Sequence, residues 1–198
     1  MITLFALDLS GCSFIDNQNI GVVEGIGDSG FLTNQPCGPP CLWGIYPGST
    51  TETQVLEVLR DRGIENECER FDRTQEGGRR GITCLDSVLI AFNEDVVEDI
   101  GYSSSEEITV EQVIKHFGEP SHILVAITST PEYPEMTMML FFDEIRTSLV
   151  LPEQKGTRYR VETTTEIVNI GYSDDTSYQA TSSSLTGWNG YGEYSKTP

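Results

Sequence analysis

Val97-Glu98-Asp99-Ile100-Gly101-Tyr102-Ser103 and Ile167-Val168-Asn169-Ile170-Gly171-Tyr172-Ser173 are the stretches on which the fold turns, because the second echoes the first. They are the last of three echoes that occur in the same order. Upstream, Ser87-Val88-Leu89-Ile90-Ala91-Phe92-Asn93-Glu94 is echoed by Thr137-Met138-Met139-Leu140-Phe141-Phe142-Asp143-Glu144. Both are apolar runs closing in an acidic turn signal, and Val96-Val97 and Leu149-Val150-Leu151 read as the returning strands. Further upstream lie two helix starts. Ser49 or Thr50 serves as the first N-cap, accepting from an orphan N–H of the opening turn, and Glu52 completes a capping box. Val55, Leu56 and Leu59 then share a face, and Gly63 ends the helix. Thr109 caps the second helix, Val113, Ile114 and Phe117 share its face, and Gly118-Glu119-Pro120 stops it, since proline cannot continue a helix.

Three echoes in one order predict an α+β fold of tandem helix–antiparallel strand repeats, forming one sheet with helices on one face. The units run from about 41 to 103 and from 104 to 173, within a domain spanning 41–192. Residues 174–192 form a docked aromatic tail closing in Trp188-Asn189-Gly190-Tyr191-Gly192, and 193–198 are a short tail. Residues 13–40, rich in Asn, Gln, Gly, Asp and Ser and ending in Gln35-Pro36-Cys37-Gly38-Pro39-Pro40, read as a flexible tether. Gly25-Ile26-Gly27-Asp28-Ser29-Gly30 belongs to it; with no Lys-Ser/Thr following, it is no phosphate loop.

Residues 1–12 read as the remnant of a lipoprotein signal whose beginning is absent. Leu9-Ser10-Gly11-Cys12 has the form of a lipobox, with Cys12 as the lipid attachment site. Met1 to Leu7 is a short apolar run without a preceding Lys or Arg, and Asp8 interrupts it. Five cysteines sharpen this reading, because an odd count in a secreted protein needs an explanation. With Cys12 acylated, Cys37, Cys41, Cys68 and Cys84 suffice for two disulfides in any of three connectivities. The Gly38-Pro39-Pro40 spacer makes a Cys37–Cys41 bond awkward, so we expect Cys37 and Cys41 to pair outward, with Cys68 and Cys84. The spacing lacks the tight Cys-x2-Cys pairs of structural zinc sites.

The chain carries 31 acidic against 12 basic residues, a net charge of −19, and so cannot supply the basic face that nucleic acid requires. Its only basic cluster, Arg79-Arg80, sits in a glycine-rich stretch that reads as a solvated loop. Such an acid-rich, lysine-poor composition suits an extracytoplasmic protein kept soluble by self-repulsion. No apolar run reaches the 18 residues of a membrane span, so membrane contact is expected only through the lipid.

Gly44-Ile45-Tyr46-Pro47-Gly48-Ser49-Thr50-Thr51 ahead of a helix, and Val113-Ile114 to Gly118-Glu119-Pro120 at the end of one, resemble the repeated module of small outer-membrane-assembly lipoproteins of the SmpA/OmlA type. The secreted β-lactamase-inhibitory proteins use a similar module in tandem. The chain also resembles uncharacterised bacterial lipoproteins that join a Pro-Pro-Cys-x-x-Gly-Ile-x-Pro-Gly start, here Pro39 to Gly48, to a Trp-x-Gly-Tyr-Gly end, here Trp188 to Gly192. The first helix departs from the pattern, ending in Arg62-Gly63-Ile64 before an insert bearing Cys68. The resemblance implies a helix-plus-antiparallel-sheet fold and action through broad surfaces, and it carries no functional residue.

Little in the sequence reads as catalysis. His116 and His122 are the only histidines, and no Gly-x-Ser-x-Gly elbow accompanies them. The acidic pairs Glu94-Asp95, Glu98-Asp99, Glu106-Glu107, Asp143-Glu144 and Asp174-Asp175 fall mostly at turns, and adjacent residues of a strand point to opposite faces. No calcium-loop pattern occurs. The expectation is a non-enzymatic interaction or envelope-scaffold module without cofactor or metal, its partner a protein or cell-envelope component. Trp43, Tyr46, Tyr133, Trp188 and Tyr191 are the candidate anchors, since large aromatics carry interface energy. The alternative is an extracytoplasmic hydrolase acting through an acidic pair.

Overall fold

The computed structural model describes residues 29–127, 135–182 and 185–195. Helix α1 (Glu52–Asp61) leads into strands β1 (Cys68–Asp72), β2 (Arg80–Cys84), β3 (Val88–Asn93) and β4 (Val96–Tyr102). Helix α2 (Val110–Phe117) leads into β5 (His122–Ile127), β6 (Glu135–Phe142) and β7 (Thr147–Val150), then short β8 (Gln154–Lys155) and β9 (Tyr159–Val161), then β10 (Asn169–Ser173). Helix α3 (Asp175–Ser182), β11 (Thr186–Gly187) and β12 (Gly192–Tyr194) complete the described chain. The fold is therefore mixed α+β, dominated by one antiparallel sheet in the order β1-β2-β3-β4-β10-β7-β6-β5-β11, with β8 against β6; β9 and β12 form a separate ribbon.

Both helix starts are built alike. Thr51 and Thr109 each accept from the backbone of a glutamine three residues on, Gln54 or Gln112, whose side chain returns a bond to the cap. The first cap is thus Thr51, with Gln54 as its partner, and not Ser49 or Thr50 with Glu52. Thr50 instead takes a bond from Tyr46 N through its hydroxyl, 2.8 Å. The chain also ties each helix start in the same way, the first to β4 and the second to the segment entering β10. Val97 N donates to Thr50 O at 2.9 Å, and Ile167 N to Ile108 O at 2.8 Å. The two sheet halves meet where β4 pairs β10, with Gly101 directly opposite Gly171.

Strand alternation gives the sheet two faces. One carries Ile82, Ile90, Ile100, Tyr172 and Phe142 along one row and Val88, Tyr102, Ile170, Leu149, Leu140 and Ile123 along the next. All are buried, together with Val55 and Leu59 of α1 and Val110 and Val113 of α2, in a single core. The opposite face was expected to be free of helices, but α3 lies there, its Tyr178 ring edge-on to Phe141 at 6.2 Å. The strand echo also needs correcting: β3 adjoins β4, whereas its counterpart β6 is separated from β10 by β7.

Two further expectations change. Of the tether 13–40, the described residues 29–40 are folded onto the body: Phe31 is fully buried and its ring lies 5.1 Å from that of Phe117. The cysteines pair locally, Cys37 with Cys41 and Cys68 with Cys84, and not outward. The spacer turns back through Cys41 N donating to Gly38 O, which brings the first pair to a Cα separation of 5.8 Å, within bridging reach. The second pair faces across β1 and β2, where Cys68 is the register partner of Cys84.

The two-faced sheet sets unequal costs for one kind of truncation. Leu149→Ala, at a fully buried core position, is expected to cost about 2–5 kcal/mol in denaturant unfolding. Leu89→Ala, on the half-exposed other face, is expected to cost about 1 kcal/mol.

Candidate functional site

The face opposite α1 and α2 is where the chain leaves structure open. One row reads Thr83, Leu89, Gly101, Gly171, Ser148 and Phe141 from β2 to β6. The adjoining row reads Asn169, Val150, Met139 and Leu124 from β10 to β5. Except for Phe141, which α3 covers, these residues are exposed or half-exposed. Neither row contains a Lys, Arg, Asp or Glu, in a chain with 31 acidic residues. The charge is at the margins: Glu69 lies beyond Thr83 on β1, and Asp99 in the neighbouring row is paired with Arg79. Glycine matters at the centre of this band. A Cβ at Gly171 would lie 2.6 Å from Ser148 Oγ, so the strand surface stays low there.

At the Phe141 end the band meets a polar cluster. Tyr178 donates through its hydroxyl to Asp143 Oδ1 at 3.0 Å, and Asp143 Oδ2 lies 3.3 Å from His122 Nε2. Burial and the bond to Asp143 push the Tyr178 phenol well above its usual range, so it stays a donor throughout neutral pH. His116 instead packs edge-on against Phe117, 4.4 Å between centroids, beside Asn34. The structure does not bring the two histidines together.

The five candidate anchors separate clearly. Trp43 is 6% exposed and belongs to the core, with the Arg62 guanidinium 4.5 Å over its ring. Tyr46 and Tyr191 are 43% and 42% exposed. Trp188 is half-buried, stacked on Tyr194 at 5.7 Å and meeting Tyr191 edge-on at 5.9 Å. This cluster borders a cavity of about 300 Å³ lined by Ile123, Thr186, Tyr191, Glu193 and Tyr194 among others. Tyr133, like Cys12, lies outside the described residues.

Arg79 lies in an exposed loop, as expected, but Arg80 does not. Arg80 opens β2, bonds Glu52 at 2.6 Å and Asp95 at 2.8 Å, and lies over the Phe92 ring. The bond that Arg80 donates to Glu52 raises its already high pKa further. Arg79 pairs with Glu98 and Asp99. Both arginines border a second cavity, of about 430 Å³, with Glu94, Glu98 and Asn93. Glu98 also accepts from Ser177 Oγ at 2.8 Å. Among the described residues, no three His, Cys, Asp or Glu side chains are grouped to hold a metal ion, and no helix is long and apolar enough to cross a membrane.

No single aromatic marks the open face in the sequence. Its signal was the strand alternation itself: Thr83, Leu89 and Gly101 are the positions between the buried ones. No protein family, curated protein or solved structure matches the chain. The two disulfides point to an oxidising, extracytoplasmic environment.

Peptide mapping without reduction is expected to recover Cys37 linked to Cys41 and Cys68 linked to Cys84. The second bond closes the longer loop, with a separation of 16 residues against 4. Cys68→Ser/Cys84→Ser is therefore expected to lose about 3 kcal/mol in unfolding and Cys37→Ser/Cys41→Ser about 2 kcal/mol, from loop-closure entropy.

Proposed function

We propose that this chain is a non-enzymatic extracytoplasmic interaction module, held at the cell envelope by lipid on Cys12, that binds a protein or envelope partner across its open sheet face. The charge-free band on so acidic a chain carries this reading. Self-repulsion keeps such a chain soluble wherever its acids reach water. A half-exposed surface without charge forgoes that protection, and it matches the depletion of charge at the centre of protein interfaces. Tyr46, Tyr191 and Trp188 are secondary anchors, at the rim.

The domain itself reads as two copies of one unit, a capped helix followed by four antiparallel strands. In this reading α1 with β1 to β4 corresponds to α2 with β5, β6, β7 and β10, joined across Gly101 and Gly171. The matching capping boxes and the matching Val97 and Ile167 bonds support it. So does the strand order, which runs outward from the seam as β4-β3-β2-β1 on one side and β10-β7-β6-β5 on the other.

The surface reading is checked by capture. Immobilised wild-type chain is expected to retain one or more envelope proteins that Met139→Glu, at unchanged melting temperature, retains roughly 10-fold less or worse, as for a central interface position. Equal recovery by both would dismiss the open face as the binding surface. The anchor is checked separately, by intact mass of protein made in its own host: a chain beginning at Cys12 and carrying acyl mass is expected, and an unmodified Cys12 would refute the lipid.

A further inference from the structure

Helix α3 is built unlike the other two. Its eight residues, Asp-Thr-Ser-Tyr-Gln-Ala-Thr-Ser, bury only Tyr178 and Ser182. Thr176, Ser177, Thr181 and Ser182 are poor helix formers, and a helix this short has no stability of its own in water. What holds it is a small set of contacts. Tyr178 places its ring on Phe141 and its hydroxyl on Asp143. Ser177 Oγ reaches Glu98 at 2.8 Å. Arg146 pairs with Asp175 at 3.1 Å, on an Asp175 side chain that is 83% exposed. Asp174 caps the helix, its Oδ1 accepting from Ser177 N at 2.7 Å.

Phe141 points away from the main core, yet it is only 2% exposed. Its neighbours on that face, Ser148 across the ladder and Met139 along the strand, are half-exposed. The large ring burying it from above is that of Tyr178. We propose that α3 is a detachable cover. It opens by withdrawing the Tyr178 ring, and Phe141 then joins Ser148, Gly171 and Met139 in one continuous uncharged band. The use of that longer band by a partner rests on the function proposed above; the opening itself does not.

Hydrogen exchange tests the opening without any partner. In the wild-type chain, the amides of α3 are expected to exchange on the order of 10-fold or more faster than those of β6 and β10, through local opening. Tyr178→Ala is expected to remove the remaining protection of α3, leave that of β6 and β10 unchanged, and raise binding of the neutral dye Nile red several-fold. Tyr178→Phe, which keeps the ring and drops the bond to Asp143, is expected to fall between the two. Protection of wild-type α3 equal to that of β10 would overturn the proposal. So would a Tyr178→Ala chain whose protection is lost throughout the sheet, or one whose α3 exchange and dye binding do not change. If α3 opens as described and the capture experiment finds no face-dependent partner, the cover stands and the interaction reading fails.

Discussion

Two strands, β4 and β10, join everything that the chain builds before Ser103 to everything it builds after it. Their register sets Gly101 against Gly171 and puts Tyr102 and Tyr172 on the core side, opposite Ile170 and Ile100. The two phenols are fully buried, with hydroxyls 3.0 Å apart and rings 5.7 Å apart, edge to face. A hydrogen bond of this kind contributes on the order of 1 kcal/mol, so the paired hydroxyls favour this register of β4 against β10. A slip of β10 by one residue would turn the Tyr172 ring to the open side and Gly171 toward the core. Without the seam, each half would present a long unpaired edge on β4 or β10, the kind of edge that sheets otherwise pair or cover.

Electrostatics explains how so acidic a chain keeps its outer strands in place. Basic residues number 12 against 31 acids, and several arginines are placed where acids from different elements converge. Glu52, in the first turn of α1, receives Arg70 from β1 and Arg80 from β2. Arg80 also reaches Asp95 in the turn between β3 and β4. The helix start is thereby tied to β1, β2 and the turn between β3 and β4. The pairs are partly solvated and individually weak, so their role is to relieve acid–acid repulsion around the turn more than to add net stability.

Much of this was legible in the sequence, and what was not has identifiable causes. The helices, their stops and the hairpins at Glu94 and Asp143 follow from local rules: a capping side chain, a glycine or proline stop, and an apolar run closing in a turn. The first cap was misread by two positions at most, because Ser49, Thr50 and Thr51 all have capping chemistry and only tertiary contact chose among them. Helix α3 was not legible because Asp-Thr-Ser-Tyr-Gln-Ala-Thr-Ser is mostly poor helix former; a cap, one ring contact and a few side-chain bonds to distant residues hold it. Trp43 reads equally well as an anchor or as core. A positive φ of 59° in the turn where Leu42 pairs with Ile45 sends it inward. The disulfide pairing is not legible because two prolines can hold a short loop apart or shape one that closes, and the bond from Cys41 N to Gly38 O makes it the latter. The open face escaped notice because a surface is a property of rows across strands, and register is not written in any one strand.

The folding of residues 29–40 onto the body makes this segment part of the core and not a spacer ahead of it. Phe31 is fully buried with its ring 5.1 Å from that of Phe117 on α2, and the Cys37–Cys41 bond closes the loop that follows. Burying a side chain of that size contributes on the order of 1.5–3 kcal/mol, so the end of α2 is held by an apolar contact from far back in the chain as well as by its own cap and stop.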